Sequence, residues 1–389
     1  MTQTAPESLA GLTGPVARFL DGHPDLATPY LVVDLDVVEK SYVALCDVLP
    51  GVRMLYAVKA NPAYEVLRRL VGLGSGFDVA SPGEIARCLE LGADPALLSF
   101  GNTIKRERDI AFAFDSGIRT FAVDADAELD KIARQAPGST VYVRISTDGV
   151  GAQWPLSRKF GCEPHDAMAL LRRAARAGLQ VGVSFHVGSQ QHDLGAWDAP
   201  LARCAALAET LYRDGIELAG VNVGGGFPAH YRQPTPPLSS YGTWIQSALA
   251  RRLGGFGGEV LAEPGRYLVG DAGVIESEVI LVSRRPAAGG TRWVYLDVGI
   301  YNGLAEAVGE AIRYRIEAPN ASGPMEPVIL AGPSCDSTDI IYQSADYALP
   351  AGLSVGDRVR VHAAGAYTSS YSSVWFNGFD PLPAFFVSS

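Results

Sequence analysis

The sequence has few cysteines, no cluster of basic residues and no long apolar run, and each of these absences excludes a class of protein. Its five cysteines, at positions 46, 88, 162, 204 and 335, are odd in number and form no C-x-x-C pair, which argues against a disulfide framework and a zinc site. The net charge is −10 and lysines and arginines are not clustered, so we expect no nucleic-acid partner.

Membrane segments and secretory signals are also missing from the sequence. No stretch approaches the roughly 18 consecutive apolar residues of a membrane-spanning helix, and residues 1–10 have neither the basic nor the apolar segment of a signal peptide. We therefore expect a cytoplasmic protein with no membrane contact. Because 48% of the 389 residues are hydrophobic, the chain can fill a large core.

A regular alternation of apolar runs and helical patterns occupies the middle of the chain. The apolar runs lie at residues 54–58, 77–80, 97–100, 120–123, 141–145, 182–187, 219–223 and 259–262. Helical patterns separate most of these runs, as at residues 64–71 and 126–135. This alternation predicts an α/β fold in which a parallel sheet closes into a (β/α)8 TIM-like barrel. A doubly wound open sheet is the alternative, but it normally uses fewer strands.

The pattern changes after about residue 270. Helical patterns become rare, and strand-like runs appear at residues 276–282, 292–298, 327–331, 358–363 and 384–387. They predict a second, mainly antiparallel β domain. An earlier strand-like run, at residues 30–35, precedes the barrel series and is expected to pair with that domain. The predicted domains are a barrel over residues 36–270 and a β domain formed by residues 1–35 together with 271–389.

Charged, histidine or glycine-rich groups lie at the carboxyl end of nearly every predicted barrel strand. They are Lys59, Asp78, Asn102, Asp124, Arg144, His186, Gly224–Gly226 and Glu263–Arg266. Because the carboxyl ends of barrel strands meet at one mouth, we expect these residues to share a site. Lys59 has two interpretations: a structural lysine paired with a carboxylate, or a Schiff-base nucleophile.

Other residues of this set also have both a functional and a structural interpretation. Gly224–Gly226 could bind a phosphate through backbone N–H groups, with Ser189 and Arg266 as further donors, or could form a tight turn. Glu263 could keep a ring nitrogen protonated or pair with a basic side chain. His186 could stack on a flat ring or be an ordinary core residue.

The β domain contains a candidate acid in the stretch Gly332-Pro-Ser-Cys-Asp-Ser-Thr-Asp339. Cys335 beside Asp336 follows a strand and a turn, so it could be a partly exposed thiol that donates a proton. The alternative is a small buried residue.

Seven motifs, in chain order, resemble those of a known family. They are Tyr-Ala-Val-Lys59-Ala-Asn, Phe-Asp78-Val-Ala-Ser, His186-Val-Gly-Ser189, Gly224-Gly-Gly-Phe-Pro228, Glu263-Pro-Gly-Arg266, Gly-Pro-Ser-Cys335-Asp336-Ser and Gly-Ala-Tyr367. They resemble the pyridoxal-phosphate-dependent ornithine, lysine and diaminopimelate decarboxylases of the alanine-racemase-like fold, from about residue 30 to residue 386. The resemblance implies pyridoxal 5′-phosphate as cofactor and a head-to-tail homodimer with active sites shared between subunits.

The resemblance also implies a role for each matching residue. Lys59 would bond covalently to the cofactor, Glu263 would keep the pyridine nitrogen protonated and His186 would stack on the ring. The residues expected to bind the phosphate are Ser189, Gly225, Gly226, Arg266 and Tyr367. Asp78 and Arg144 would support the lysine and the ring side of the cofactor.

Two further parts of the site follow from the same resemblance. Cys335 from the second subunit would protonate the carbanion that remains after carbon dioxide leaves. Residues 148–159 match a mobile active-site loop, which would exclude water from that carbanion.

The resemblance further implies a basic L-amino acid as substrate. Asp336 after Cys335 matches the ornithine and lysine enzymes, whereas diaminopimelate decarboxylases look like Cys-Glu-Ser-Gly at this point. Asp297 and Asp336 are therefore the expected partners of the distal ammonium, with Tyr301 beside them. Ile300-Tyr301-Asn302 differs from the Lys-Phe-Gly typical of the bacterial enzymes, which leaves ornithine, lysine or another diamino acid open. Arginine is disfavoured because the arginine decarboxylases of this fold are longer chains.

Two other functions compete with decarboxylation. An amino-acid racemase of the same fold needs a base on each face of the substrate, and a tyrosine acid in place of the Cys335–Asp336 pair would be expected. A regulatory homologue similar to the antizyme inhibitors would have lost cofactor-binding residues, and none is missing here. The sequence therefore favours decarboxylation of L-ornithine to putrescine, with L-lysine to cadaverine second, in polyamine biosynthesis.

Overall fold

The computed structural model describes residues 12–156, 159–285 and 290–389. Residues 1–11 of the predicted β domain and residues 157–158 of the predicted active-site loop lie outside the described residues. The chain begins with helix α1 (Gly14–Gly22), strand β1 (Tyr30–Asp34) and helix α2 (Leu35–Val48). Within the described ranges, no helix is long and apolar enough to cross a membrane.

Eight parallel strands form a closed barrel, as the sequence predicts. They are β2 (Val52–Ala57), β3 (Gly76–Val79), β4 (Leu98–Phe100), β5 (Thr120–Val123), β6 (Thr140–Arg144), β8 (Gln180–Ser184), β10 (Leu218–Asn222) and β11 (Glu259–Ala262). The strands pair in chain order, and β11 pairs with β2 to close the ring. Two short strands lie outside the barrel, β7 (Ala152–Trp154) and β9 (Ser189–Gln191), and they pair antiparallel with each other.

Helices follow most of the barrel strands and cover the outside of the ring. They are α3 (Tyr64–Gly72), α4 (Pro82–Glu90), α5 (Glu107–Asp115), α6 (Asp126–Gln135), α7 (Pro164–Arg176), α8 (Asp198–Arg213), α9 (Leu238–Leu253) and α10 (Arg266–Val269). Helix α7 shows the reason: Ala167, Leu170, Leu171 and Ala174 recur at helical spacing and are all buried. Proline at its first position suits a helix start, because that N–H has no helical partner.

Packed side chains fill the inside of the barrel. Leu55, Tyr142 and Leu261 form a small buried cluster. The Tyr142 ring occupies space that neighbouring strands leave by carrying glycine, since a Cβ on Gly182 would lie 2.6 Å from that ring. The interior is therefore a core rather than a channel, and a ligand has to bind at the mouth.

The remaining strands form a mainly antiparallel sheet, which was also predicted. They are β12 (Gly273–Arg284), β13 (Arg292–Leu296), β14 (Arg315–Glu317), β15 (Met325–Ala331), β16 (Ile340–Pro350), β17 (Arg358–His362) and β18 (Ala384–Val387). The order is β14-β17-β12-β13-β15-β16, and β1 pairs antiparallel with β12 and parallel with β18. The sequence pattern missed β14 and β16. Strand β16 contains glutamine, serine, aspartate and alanines, which disfavour strands, and its pairing with β15 overrides that preference.

The β domain contacts the barrel at the mouth. The Tyr367 N–H donates to the carbonyl of Ala60 at 2.8 Å, and the Asn61 side chain donates to the carbonyl of Gly365 at 2.9 Å. Both barrel residues lie within two positions of Lys59 in the chain, and one continuous hydrophobic core runs through the two parts. The β domain is therefore in position to contribute to a site at the strand ends.

Candidate active site

Lys59 lies at the mouth of the barrel beside a buried carboxylate. Strand β2 ends at Ala57, and a 3₁₀ turn over Val58–Ala60 carries the lysine, whereas the apolar run predicted a strand to residue 58. Lys59 Nζ donates to Asp78 Oδ2 at 3.2 Å. The Asp78 charge raises the pKa of Lys59 above its usual range. Lys59 is thus a paired lysine, yet its side chain is 51% exposed, so Nζ remains accessible.

Asp78 itself retains binding capacity. Its side chain is only 5% exposed, and among the described residues Oδ1 has no hydrogen-bond partner. Leaving a buried carboxylate oxygen without a hydrogen-bond donor costs free energy. The unpaired Oδ1 therefore indicates that a further group binds beside Lys59.

Glu263, just after β11, is an acid whose environment favours the protonated form. Burial raises the pKa of Glu263 to about 7, and the Asp78 charge adds to this effect, while Lys59 opposes it. Asn222, the last residue of β10, donates to Glu263 Oε1 at 2.5 Å and orients the carboxyl group. Such an acid gains stability as an anion once a cationic ring nitrogen lies beside it.

His186 follows β8 and is held as a neutral ring. Burial lowers the pKa of His186 well below its ordinary value, and the Arg144 and Lys59 charges lower it further. Its Nδ1 lies 3.0 Å from the Gly188 N–H and accepts that hydrogen, so the ring proton is on Nε2. An uncharged imidazole at a barrel mouth suits stacking on a flat aromatic ring.

The glycine run after β10 leaves backbone donors unpaired. Gly224 and Gly226 have φ of +70° and +110°, which favour glycine, and a Cβ on Gly225 would lie 2.6 Å from the Glu263 carbonyl. The Gly224 N–H donates to Asn222 Oδ1 at 2.9 Å. Within the described ranges, the N–H groups of Gly225 and Gly226 have no acceptor. Two adjacent free N–H groups on a turn are the donors that a phosphate needs.

Arg266 lies beside this turn and is held by three neighbours. Its Nε donates to Ser189 Oγ at 3.1 Å, and its terminal nitrogens donate to both oxygens of Glu306 at 2.6 and 2.7 Å. Tyr231 accepts a further hydrogen bond at 2.7 Å. The Tyr367 ring lies 4.8 Å from the guanidinium carbon. The structure thus brings Arg266, Ser189 and Tyr367 together, as the sequence analysis predicted.

Two residues of this region were not anticipated from the sequence. Asn222, which orients Glu263, ends a barrel strand, and the rule that strand ends meet at the mouth could have found it. Glu306 comes from a 3₁₀ segment, Ala305–Glu310, for which the sequence predicts no element. A buried arginine needs a counter-charge, and this need could have predicted a carboxylate partner for Arg266.

Arg144, at the end of β6, completes the mouth. Burial lowers the pKa of Arg144, and the carboxylates of Glu263, Asp124 and Asp78 oppose that effect. Its guanidinium carbon lies 5.1 Å from the centre of the Phe160 ring. Arg144 therefore lies within the electrostatic reach of the same carboxylates as Lys59.

A second group of candidates lies in the β domain, on the acid loop, which we define as residues 332–339. Cys335 is exposed, and its N–H donates to Asn377 Oδ1 at 2.9 Å. The Thr338 hydroxyl lies 2.8 Å from Asp336 Oδ1 and 2.8 Å from the hydroxyl of Tyr301. In the described part of the chain, no hydrogen bond or ion pair joins the acid loop to Lys59, Glu263 or His186. The candidates therefore form two separate groups within one chain.

Asp297 belongs to neither group by its contacts. Its Oδ1 accepts the Ser277 hydroxyl at 2.6 Å and the Glu278 N–H at 3.0 Å. Among the described residues, no hydrogen bond links its carboxylate to Tyr301 or Asp336. A substrate role for Asp297 remains a prediction.

Residues 152–154 of the predicted active-site loop form a strand in this structure. Strand β7 pairs with β9, so that Trp154 lies opposite Ser189 and Ala152 opposite Gln191. The Gln191 side chain also donates to the Val150 carbonyl at 3.0 Å. This segment of the loop is thereby attached to the strand that carries Ser189.

Taken together, the mouth fits pyridoxal 5′-phosphate. It presents an accessible amine, an acid of raised pKa, a neutral imidazole and two free N–H groups beside an arginine. Each of these four features matches a different part of that cofactor: its carbonyl, its ring nitrogen, its ring face and its phosphate.

Comparisons with known proteins agree with this geometry. Residues 35–270 match a family model described as the pyridoxal-binding domain of pyridoxal-dependent decarboxylases. The lysine/ornithine decarboxylase of Selenomonas ruminantium is 36% identical over 360 residues, which cover 92% of this chain and 89% of that protein. The lysine/ornithine decarboxylase of Vibrio vulnificus, solved with putrescine, has a TM-score of 0.85 and 31% identity, covering 95% of this chain and 97% of that one.

A third relative corrects one expectation. The arginine decarboxylase of Paramecium bursaria Chlorella virus, solved with agmatine, has a TM-score of 0.87 and 27% identity, covering 95% of this chain and 99% of that one. An arginine decarboxylase of this fold therefore need not be a longer chain. Chain length does not exclude arginine as a substrate.

Proposed function

This chain belongs to the pyridoxal-dependent decarboxylases, and we propose that its preferred substrate is L-ornithine, converted to putrescine, with L-lysine, converted to cadaverine, second. The observation that carries the proposal is the acid loop. Its Asp336 is oriented by Thr338 and borders the thiol of Cys335, so one short segment offers a carboxylate for a distal ammonium and a proton donor. Decarboxylation of a basic amino acid uses both.

Tyr301 supports the shorter substrate. Its ring centre lies 4.4 Å from that of Phe376, and its hydroxyl is anchored on Thr338. A bulky side chain held on both sides limits the space in front of Asp336. We therefore place ornithine before lysine, and both before arginine and other diamino acids.

The residues of the barrel mouth hold the cofactor and the reacting end of the substrate. Lys59 provides the amine that bonds to the cofactor, and Asp78 keeps that side chain in position. Glu263 would hold a proton at the pyridine nitrogen through a charge-assisted hydrogen bond, and His186 would stack on the ring. When bound, pyridoxal phosphate supplies a conjugated electron sink for the electron pair released as carbon dioxide leaves.

The phosphate end is held mainly by neutral donors. Glu306 accepts from both terminal nitrogens of Arg266, and the Nε of Arg266 already donates to Ser189 Oγ. The Ser189 hydroxyl hydrogen and the N–H groups of Gly225 and Gly226 would therefore be the donors for a phosphate. Tyr367 closes this end from the β domain.

We further propose that the functional unit is a head-to-tail homodimer. Among the described residues, no hydrogen bond or ion pair joins the acid loop to Lys59, Glu263 or His186, so we assign Cys335 and Asp336 to the mouth of a second copy. Cys335 Sγ then donates a proton to the α-carbon of the substrate. An apolar surface near the loop supports this assembly: Trp375 is 72% exposed and Val374 is exposed beside it.

The cysteines support a cytoplasmic location. All five are unpaired, which suits a reducing compartment.

A substrate panel tests the proposal. The protein, reconstituted with pyridoxal phosphate, is incubated with L-ornithine, L-lysine, L-arginine, meso-diaminopimelate and the D-isomers, and carbon dioxide and amine are measured. We expect the highest kcat/KM for L-ornithine. Faster release from L-arginine or diaminopimelate would contradict the substrate assignment. Loss of optical activity without carbon dioxide would show a racemase instead.

A further inference from the structure

The side chain of Thr338 connects two residues that the proposed function assigns to the far end of the substrate. The backbone N–H and the side-chain hydroxyl of Thr338 both donate to Asp336 Oδ1, at 2.9 and 2.8 Å. An ionised carboxylate only accepts hydrogen bonds, so the Thr338 proton is used on Asp336 and its lone pairs face another donor. The Tyr301 hydroxyl, 2.8 Å away, is that donor.

We propose that Thr338 is a positioning and specificity-determining residue, which fixes Asp336 and Tyr301 relative to each other and so sets the chain length of the substrate that the site accepts. The inference rests on the proposed function, because it assumes that Asp336 binds the distal ammonium. Thr338 itself acts through its two neighbours and need not touch the substrate.

The two residues that Thr338 connects, Tyr301 and Asp336, are each held by a different segment of the chain. Tyr301 packs against Phe376, and its carbonyl accepts the Ser373 N–H at 2.7 Å. On the other side, the Asp339 N–H donates to the Asp336 carbonyl at 3.1 Å and closes the turn. Neither contact restricts the side-chain torsions of Asp336. The two bonds from Thr338 do, and the Tyr301 hydroxyl adds a smaller interaction with the same carboxylate. Both bonds from Thr338 reach Oδ1, so Oδ2 is the oxygen turned away from Thr338.

The arrangement explains how selectivity for length arises. A distal ammonium has to meet a carboxylate at one distance from the bond that breaks, and an added methylene shifts it by more than a hydrogen bond tolerates. If Asp336 could rotate freely, it would follow the longer substrate. With Asp336 held by Thr338 and the space beside it filled by Tyr301, that adjustment is prevented.

Thr338 is suited to substitution because its side chain is exposed and fills no core position. Thr338→Val removes the hydroxyl at nearly constant shape, and Thr338→Ser retains it. Thr243→Val is the matched control, since its exposed hydroxyl donates to the Ser239 carbonyl on helix α9, within the barrel part of the chain. All variants are studied as full-length protein with bound pyridoxal phosphate.

We expect Thr338→Val to raise KM for L-ornithine about three- to tenfold, the effect of one lost hydrogen bond, with kcat within about twofold. The preference for L-ornithine over L-lysine in kcat/KM should fall by a similar factor. The inhibition constant of putrescine should rise with KM. Thr338→Ser should restore all three quantities, and Thr243→Val should leave them unchanged. The visible absorbance of the bound cofactor should not change in any variant.

A double-mutant cycle separates positioning from a general structural effect. If Thr338 acts through Asp336, then Asp336→Asn and the pair Asp336→Asn with Thr338→Val should have nearly the same KM. Additive effects, or an unchanged substrate preference in Thr338→Val, would overturn this inference and leave the proposed function standing. A wild-type protein that releases carbon dioxide from none of the diamino acids would overturn both.

Discussion

The barrel mouth and the acid loop are the two halves of the proposed site, and they are built in opposite ways. In the mouth, Asp78, Glu263 and Arg266 are largely buried, and partners from several strands orient them. In the acid loop, Cys335 and Asp336 are accessible, and the loop and its neighbours Tyr301 and Asn377 orient them. One chain thus contains the residues proposed to hold the cofactor, whereas the proposed substrate site would also need the acid loop of a second copy.

The largest expected effect is the loss of Lys59 from the mouth. Lys59→Ala removes the amine that bonds to the cofactor, and we expect turnover to fall by about 10⁴-fold or more and the visible absorbance of the bound cofactor to change. Stopped-flow absorbance and carbon dioxide release measure both. The control is Lys40→Ala, an exposed lysine on α2. Activity near the wild-type level in Lys59→Ala would refute the central assignment.

The next effect concerns the acid loop alone. Cys335→Ala removes a proton donor but no contact of the mouth, so we expect kcat to fall about 10²–10³-fold while the affinity for pyridoxal phosphate is unchanged. Part of the product should be protonated at the wrong atom, which mass spectrometry detects. Cys46→Ala is the control. Weaker cofactor binding in Cys335→Ala would contradict the separation of the two halves.

Mixing the two inactive variants tests whether the halves come from different copies. A heterodimer of Lys59→Ala and Cys335→Ala contains one site with both residues intact. After subunit exchange, random pairing should restore about a quarter of the wild-type activity. If no activity returns although dimers exchange, then Cys335 serves the mouth of its own chain.

Replacing Glu306 tests how much the buried ion pair with Arg266 contributes to stability. Glu306→Ala leaves Arg266 buried without its counter-charge, and we expect the free energy of unfolding to fall by about 3–5 kcal/mol. Denaturant titration measures the change. Glu209→Ala, which breaks an exposed pair with Arg213 on α8, is the matched control and should cost at most about 0.5 kcal/mol. Equal losses of stability in the two variants would contradict the expectation that the buried ion pair contributes more than the exposed one.

The smallest expected effect is a dependence of stability on pH that originates in Glu263. Burial raises its pKa in the folded, cofactor-free protein to about 7, so between its ordinary value and pH 7 the folded state binds a proton that the unfolded chain has released. Stability should therefore fall as pH rises through this interval, by about 2–3 kcal/mol in total. Subtracting the profile of Glu263→Gln from that of the wild type isolates the contribution. A difference that increases with pH would have the wrong sign.

The sequence was most informative where a local pattern and the fold agree. All eight barrel strands were predicted within a few residues, because apolar runs bounded by turns are typical of strands buried on both faces. The acid loop was found through Cys335 and Asp336, which are adjacent in the chain. In contrast, β16 was missed, because its polar residues become a strand only through pairing with β15.

The sequence by itself determined which chemical groups stand at the strand ends: the amine of Lys59, the carboxyl of Glu263 and the imidazole of His186. Only the tertiary structure decided their charges and partners. It pairs Lys59 with Asp78, gives both terminal nitrogens of Arg266 to Glu306, 40 residues away, and connects Tyr301 to Asp336 through Thr338. The reason is that the sequence specifies residue types and their order only. Burial and hydrogen-bond distances, which set the charges, depend on which distant segments the fold brings together.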